Sequence, residues 1–230
     1  MFLRRGFGIV VAVSFFLPVQ STPPFWKMGQ QAMRAMSYDR AANERNAIQA
    51  LRLAQSSLQW HRLDDGVMGG QSATAHLLDA VTGHLLFKGF INTQGGGFTS
   101  IRTPLPEPLS ASATAISLRL KGDGKTYKLL LSQGRGSGGP MASQPSWQAD
   151  LPTTGDWQDV TVPFDSLLPN FGGRREQPKK EDYTFKAENM KELGLMLSLK
   201  LSDGSANPPE TFGEGLFDFE LEVESINILE

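Results

Sequence analysis

Asp64 and Asp65 are the only adjacent carboxylates that sit beside glycine, at the head of the run Asp64-Asp65-Gly66-Val67-Met68-Gly69-Gly70-Gln71-Ser72. Paired oxygens could hold a hard cation, but such an ion wants several more ligands and the spacing of a calcium loop is missing. An Asp before Gly is also ordinary turn chemistry. A second run of the same kind follows, Gln94-Gly95-Gly96-Gly97-Phe98-Thr99-Ser100-Ile101-Arg102. Neither run has the Lys-Ser/Thr ending and following helix that let a phosphate loop cradle an anion. Both lead into residues that read as strand. On the second run, Phe98, Ser100 and Arg102 share one strand face, so an apolar ring and a guanidinium point the same way. The arrangement predicts an Asp65–Arg102 ion pair that ties the two runs together; a fork of donors offered to a partner carboxylate is the alternative.

Other chemistry is thin. With no cysteine in the chain, disulfides, thiolate zinc sites and a cysteine nucleophile are all excluded. His61, His76 and His84 show no metal-ligand spacing and read as surface histidines, the last two flanking a turn at Thr82-Gly83. No catalytic residue, metal set or cofactor loop is assigned. Trp60, Trp147 and Trp157 could stack on sugar rings, but burial in a core is the favoured reading.

These runs fall into a longer order: Trp60, the first glycine run, the second, then Lys121-Gly122-Asp123-Gly124-Lys125-Thr126-Tyr127, then Trp157-Gln158-Asp159-Val160-Thr161-Val162-Pro163-Phe164, then a Phe-x-Leu-Glu-Val-x-Ser-Ile ending at Phe219 to Ile226. That order resembles the complex I intermediate-associated protein 30 family, and its motifs spread over residues 60–228. The resemblance implies a jelly-roll sandwich of the galactose-binding, carbohydrate-module type. It also implies a non-enzymatic assembly factor whose partners are protein subunits of an immature membrane complex, mitochondrial respiratory complex I first among them. Residues carried over as motif or partner-binding positions are Trp60, Asp65, Gly66, Gly69, Gly70, Gly97, Phe98, Arg102 and Trp157. Mitochondrial members carry a less glycine-rich first motif; Asp-Gly-Val-Met-Gly-Gly is closer to the bacterial and plastid branch, which leaves a photosynthetic complex open as the client. A carbohydrate- or small-ligand-binding module is the rival, and peripheral membrane association a further option.

Composition agrees with a globular domain: 40% hydrophobic and 20% charged residues over 230 positions suffice for a sizeable core. A formal charge of −2 gives no basis for nucleic-acid binding, which needs a clustered basic surface. Residues 1–21 read as a targeting segment, with Arg4 and Arg5 before an apolar stretch and small residues at Val19-Gln20-Ser21. A secretory-type signal, including the first part of a plastid signal, and a mitochondrial presequence both fit; the family resemblance favours the mitochondrion.

The expected organisation is all-β after a helix. Residues 22–59 form a linker in which Ile48, Leu51, Gln55 and Leu58 fall on one helical face, predicting a helix packed on the sheet domain. Residues 60–230 form an antiparallel β-sandwich. Ile116, Leu118 and Leu120 alternate with polar residues, and Gly122-Asp123-Gly124 then predicts a hairpin into Tyr127, Leu129 and Leu131. Leu193, Leu195, Leu197, Leu199 and Leu201 predict one strand facing inward. In the last segment, Phe217, Phe219, Leu221 and Val223 share a face opposite Asp218, Glu220, Glu222 and Glu224. Ile226 and Ile228 then appear in the opposite phase, which predicts a bulge near Glu224-Ser225. The acids are expected to form the solvated face of an outer strand. Residues 132–146, 172–181 and 203–213 read as loops.

Overall fold

The computed structural model describes residues 51–52 and 58–230, with the exception of 175. Their strands are β1 (Leu51–Arg52), β2 (His61–Asp64), β3 (Ala73–Leu78), β4 (Leu85–Asn92), β5 (Phe98–Pro104) and β6 (Ala115–Gly122). There follow β7 (Thr126–Ser132), β8 (Ser146–Pro152), β9 (Gln158–Pro163), β10 (Leu168–Asn170), β11 (Glu192–Ser198) and β12 (Leu216–Leu229). They build two antiparallel sheets, one in the order β3-β4-β12-β6-β9 with β1 also on β12, the other β10-β8-β7-β11-β5-β2. The chain passes repeatedly between the sheets, as a jelly-roll sandwich requires.

Period-two alternation decides what lies between them. Leu85, Phe87, Ile91, Ile116, Leu118, Leu120, Leu221 and Val223 of the first sheet are fully buried against Leu129, Leu131, Leu193, Leu195, Leu197 and Ile101 of the second. Phe87 meets Phe219 edge to face at 4.9 Å and Tyr127 at 6.2 Å. The expected bulge is present: the β12–β6 register shifts between Val223 and Ser225, and this puts Phe219, Leu221 and Val223 on the same inner face as Ile226 and Ile228. The β3–β4 hairpin also forms, with Asp79 Oδ1 accepting the Val81 and Thr82 amides in its turn.

Four expectations need correction. The glycines at 122–124 do not make a hairpin: β6 lies in one sheet and β7 in the other, so the turn is a crossover. The leucine strand stops at Ser198, because Leu199 turns its N–H to Gly97 and the chain doubles back through an Asn207 N–H to Leu199 O bond. Leu199 is therefore exposed and Leu201 half-buried. β12 is the middle strand of its sheet, so its acids are solvated but guard no edge; they stand among Lys88, Lys121 and Arg119. Leu51 and Arg52 pair with Ile228 and Asn227 as strand, while Leu58 is buried in the core without helical structure. Residues 22–50 and 53–57 of the expected helical segment, like the targeting segment, lie outside the described residues.

Candidate functional site

The two glycine runs do meet, and Asp65 joins them. Its side chain is buried: Oδ1 accepts the Ser72 amide at 2.9 Å, while Oδ2 accepts the Ser72 hydroxyl at 2.6 Å and the Gly97 amide at 2.7 Å. A longer bond from the Phe98 amide, 3.4 Å, completes the set. A carboxylate leaves water at a cost that only such donors offset. The glycines are the other half of the arrangement. A Cβ on Gly70 would lie 2.3 Å from Asp65 Cγ, and one on Gly96 2.1 Å from Asp65 Oδ2. Neither position has a positive φ; the requirement is for space, and only hydrogen supplies it.

Arg102 is not the partner of Asp65, which corrects the expected pair. Antiparallel register sets His61 opposite Arg102 and Asp64 opposite Thr99, so Arg102 lies a full strand length from the glycine loops. Instead its Nη1 meets Glu192 Oε1 at 3.3 Å, and the Ser132 hydroxyl donates to the same oxygen at 3.2 Å. A double-mutant cycle on Arg102→Gln and Glu192→Gln should give a coupling of about 1 kcal/mol, whereas Asp65→Asn and Arg102→Gln should add. Urea titrations of the four variants check both.

Further loops converge at the same end of the sandwich. Asp123, at the crossover, accepts the Tyr127 hydroxyl at 2.8 Å and the Glu220 amide at 3.1 Å. Burial, with Asp123 alongside, pushes the Tyr127 phenol far above its ordinary range. Asn207 bridges the crossover to the leucine strand, its Nδ2 donating to Thr126 O and Ser198 O, both at 3.1 Å. Beside it opens a cavity of about 390 Å³, lined among others by Thr93, Leu199, Phe212 and Gly215. Met68, Leu199 and Leu216 stand exposed around these loops.

From this end runs the outer face of the second sheet. As expected, Phe98, Ser100 and Arg102 share it, now joined across the ladder by Gly194, Met196, Lys128, Leu130, Gln148 and Asp150. Lys128 is 5% exposed, faces Asp150 across the ladder and forms no ion pair among the described residues. Burial lowers its ammonium from 10.5 to about 8, and nearby Asp150 offsets only part of that. A cation depressed in the fold destabilises it while protonated, and the unfolded chain keeps the proton longer. Stability should therefore rise with pH from about 8 towards 10.5, by on the order of 3 kcal/mol relative to Lys128→Met. Lys128→Met should in turn be the more stable protein at pH 7 in a urea titration.

The remaining site candidates scatter. Trp60 packs half-buried against the core. Gly66 and Gly69 are turn residues of the loop that carries Asp65, and Gly69 has a φ of 89°. Gly97 lies under Leu199, whose Cδ1 would be 2.3 Å from a Cβ there. Trp157, expected in the core, lies on the other sheet's outer face, edge-on to His84 at 5.4 Å and under the Arg119 guanidinium. His84 is no free surface histidine either, since its Nδ1 is 2.7 Å from Glu222. Sequence reading missed Glu192, Lys128 and Asn207. Only register and loop packing reveal them. Among the described residues no three His, Asp or Glu side chains converge as a metal set.

The motif loops are thus one built unit, and comparison with known proteins gives that unit a lineage. The model of a family described as complex I intermediate-associated protein 30 matches residues 50–223. The chain belongs to that family. No curated protein sequence matches it. Among solved structures it is similar to the family 11 carbohydrate-binding module of a cellulosomal cellulase of Clostridium thermocellum, with 12% identity, 78% of this chain and 94% of that chain covered, and a TM-score of 0.50. A structure of the family 11 module from Clostridium thermocellum with a β-1,3-1,4-mixed-linked tetrasaccharide aligns at 12% identity over 77% and 94% of the two chains, TM-score 0.47. At such identity the likeness extends to the sandwich fold alone.

Proposed function

We propose that this chain is a non-enzymatic assembly factor that binds immature intermediates of a membrane-bound electron-transfer complex, mitochondrial respiratory complex I in the first place. The family match over residues 50–223 carries the reading. The glycine-loop end is the proposed contact surface, because Met68, Leu199 and Leu216 are exposed there on loops held by Asp65 and Asn207. A sugar-binding module would need ring faces turned to solvent. Of the tryptophans that could serve as sugar platforms, Trp60 packs against the core, Trp147 is buried in it, and Trp157 is taken up by Arg119 and His84.

Deletion of the gene tests this reading. Mature complex I should fall and partly assembled intermediates accumulate, or a photosynthetic complex should do so if the N-terminal segment leads to a plastid. Normal levels of both complexes, together with tight binding of the protein to a glycan array, would overturn the assembly reading in favour of a carbohydrate module.

A further inference from the structure

Away from the glycine loops, a cavity of about 480 Å³ opens beside β8 and the segment after β9. Tyr183 and Phe185, half-buried, form its aromatic wall over a floor of the buried Trp147 and Phe164, together with the carboxylates of Asp165 and Glu181. The rings brace one another: Phe185 is edge-on to Trp147 at 5.4 Å and 4.9 Å from Phe164. Tyr183 is held by Phe171 at 5.7 Å. Asp165 and Glu181 are exposed, and neither has an ion-pair partner among the described residues.

Aromatic rings carry negative charge on their faces and attract cations, most strongly where water is excluded. Carboxylates at the rim add to that attraction. The same loop already stacks a guanidinium on a ring, Arg174 over Phe171 at 3.7 Å. Lys180 also lines the opening, but its side chain is exposed and can swing aside. We propose that this cavity receives a basic side chain, arginine or lysine, from a polypeptide partner. The polypeptide source rests on the assembly reading above; the preference for a cation does not.

The test is a nuclear magnetic resonance titration of the purified protein with an acetylated, amidated Gly-Arg-Gly peptide, its glutamine counterpart and tetramethylammonium. The arginine peptide should shift the Trp147 indole and the Phe185 and Tyr183 rings saturably, and added salt should weaken it. The doubly substituted Asp165→Asn, Glu181→Gln protein, altered only at exposed positions, should bind it about five- to tenfold more weakly. Equal binding of the glutamine peptide, or no saturation at millimolar concentration, would overturn the cation site. Tetramethylammonium binding as tightly as the peptide would overturn the polypeptide source. Neither outcome depends on complex levels in the deletion strain, so a failure here is separable from a failure of the assembly reading.

Discussion

Replacing Asp65 with alanine should cost about 3–5 kcal/mol, because it orphans the buried Ser72 and Gly97 amides and leaves the Ser72 hydroxyl only its longer contact to Asn92 O. Gly96→Ala should cost about 2–3 kcal/mol by a different route, since its methyl would meet the Asp65 carboxylate while four hydrogen bonds hold that carboxylate in place. The two changes should not add. With the carboxylate gone only the Cβ at position 65, 3.0 Å away, still crowds the methyl, so Gly96→Ala made in the Asp65→Ala protein should cost about 1 kcal/mol, less than half of what it costs alone. Urea titrations of the two single variants and the double variant decide the matter; simple additivity would show that glycine is there for some reason other than Asp65.

Leu197→Ala should cost about 2–5 kcal/mol, the range for emptying a close-packed site, since Leu197 is fully buried between the sheets. Two residues on, Leu199→Ala should cost under about 1 kcal/mol, because Leu199 is 39% exposed beyond the strand end. Equal losses at both positions would mean the strand continues past Ser198.

These contrasts show what sequence can and cannot convey. The bulge in β12 was legible because a change of phase in the apolar pattern is local, and any strand that must bury both halves has to absorb the extra residue. The inward leucines of β11 were legible for the same reason as far as Leu197. Nothing local marked the end at Ser198, which depends on Gly97 approaching from a distant loop. Sheet membership was likewise hidden: Gly122-Asp123-Gly124 can close a hairpin or carry the chain to the other sheet, and the choice is made by Tyr127 and Glu220 binding Asp123. Asp65 was recognisable as a joint between the glycine runs, but its partner was misassigned. Charge favoured Arg102, whereas backbone amides and a serine were closer, and Arg102 found Glu192 across a register that no sequence pattern states.

The motifs therefore describe a platform. Asp65, Asp123 and Asn207 pin loops from both sheets at one end, and the exposed Met68, Leu199 and Leu216 stand on it. A surface fixed by these bonds fits the role proposed above, since a preformed contact loses little on binding.

The most direct measurement is affinity purification of the tagged, full-length protein from its own cells, followed by native electrophoresis and identification of what travels with it. The protein should comigrate with partly assembled electron-transfer complexes and be absent from the mature one, and charged substitutions at Met68 and Leu216 should abolish the association without unfolding the protein. Recovery of the protein free of any such intermediate, or bound to the mature complex alone, would contradict the assembly reading.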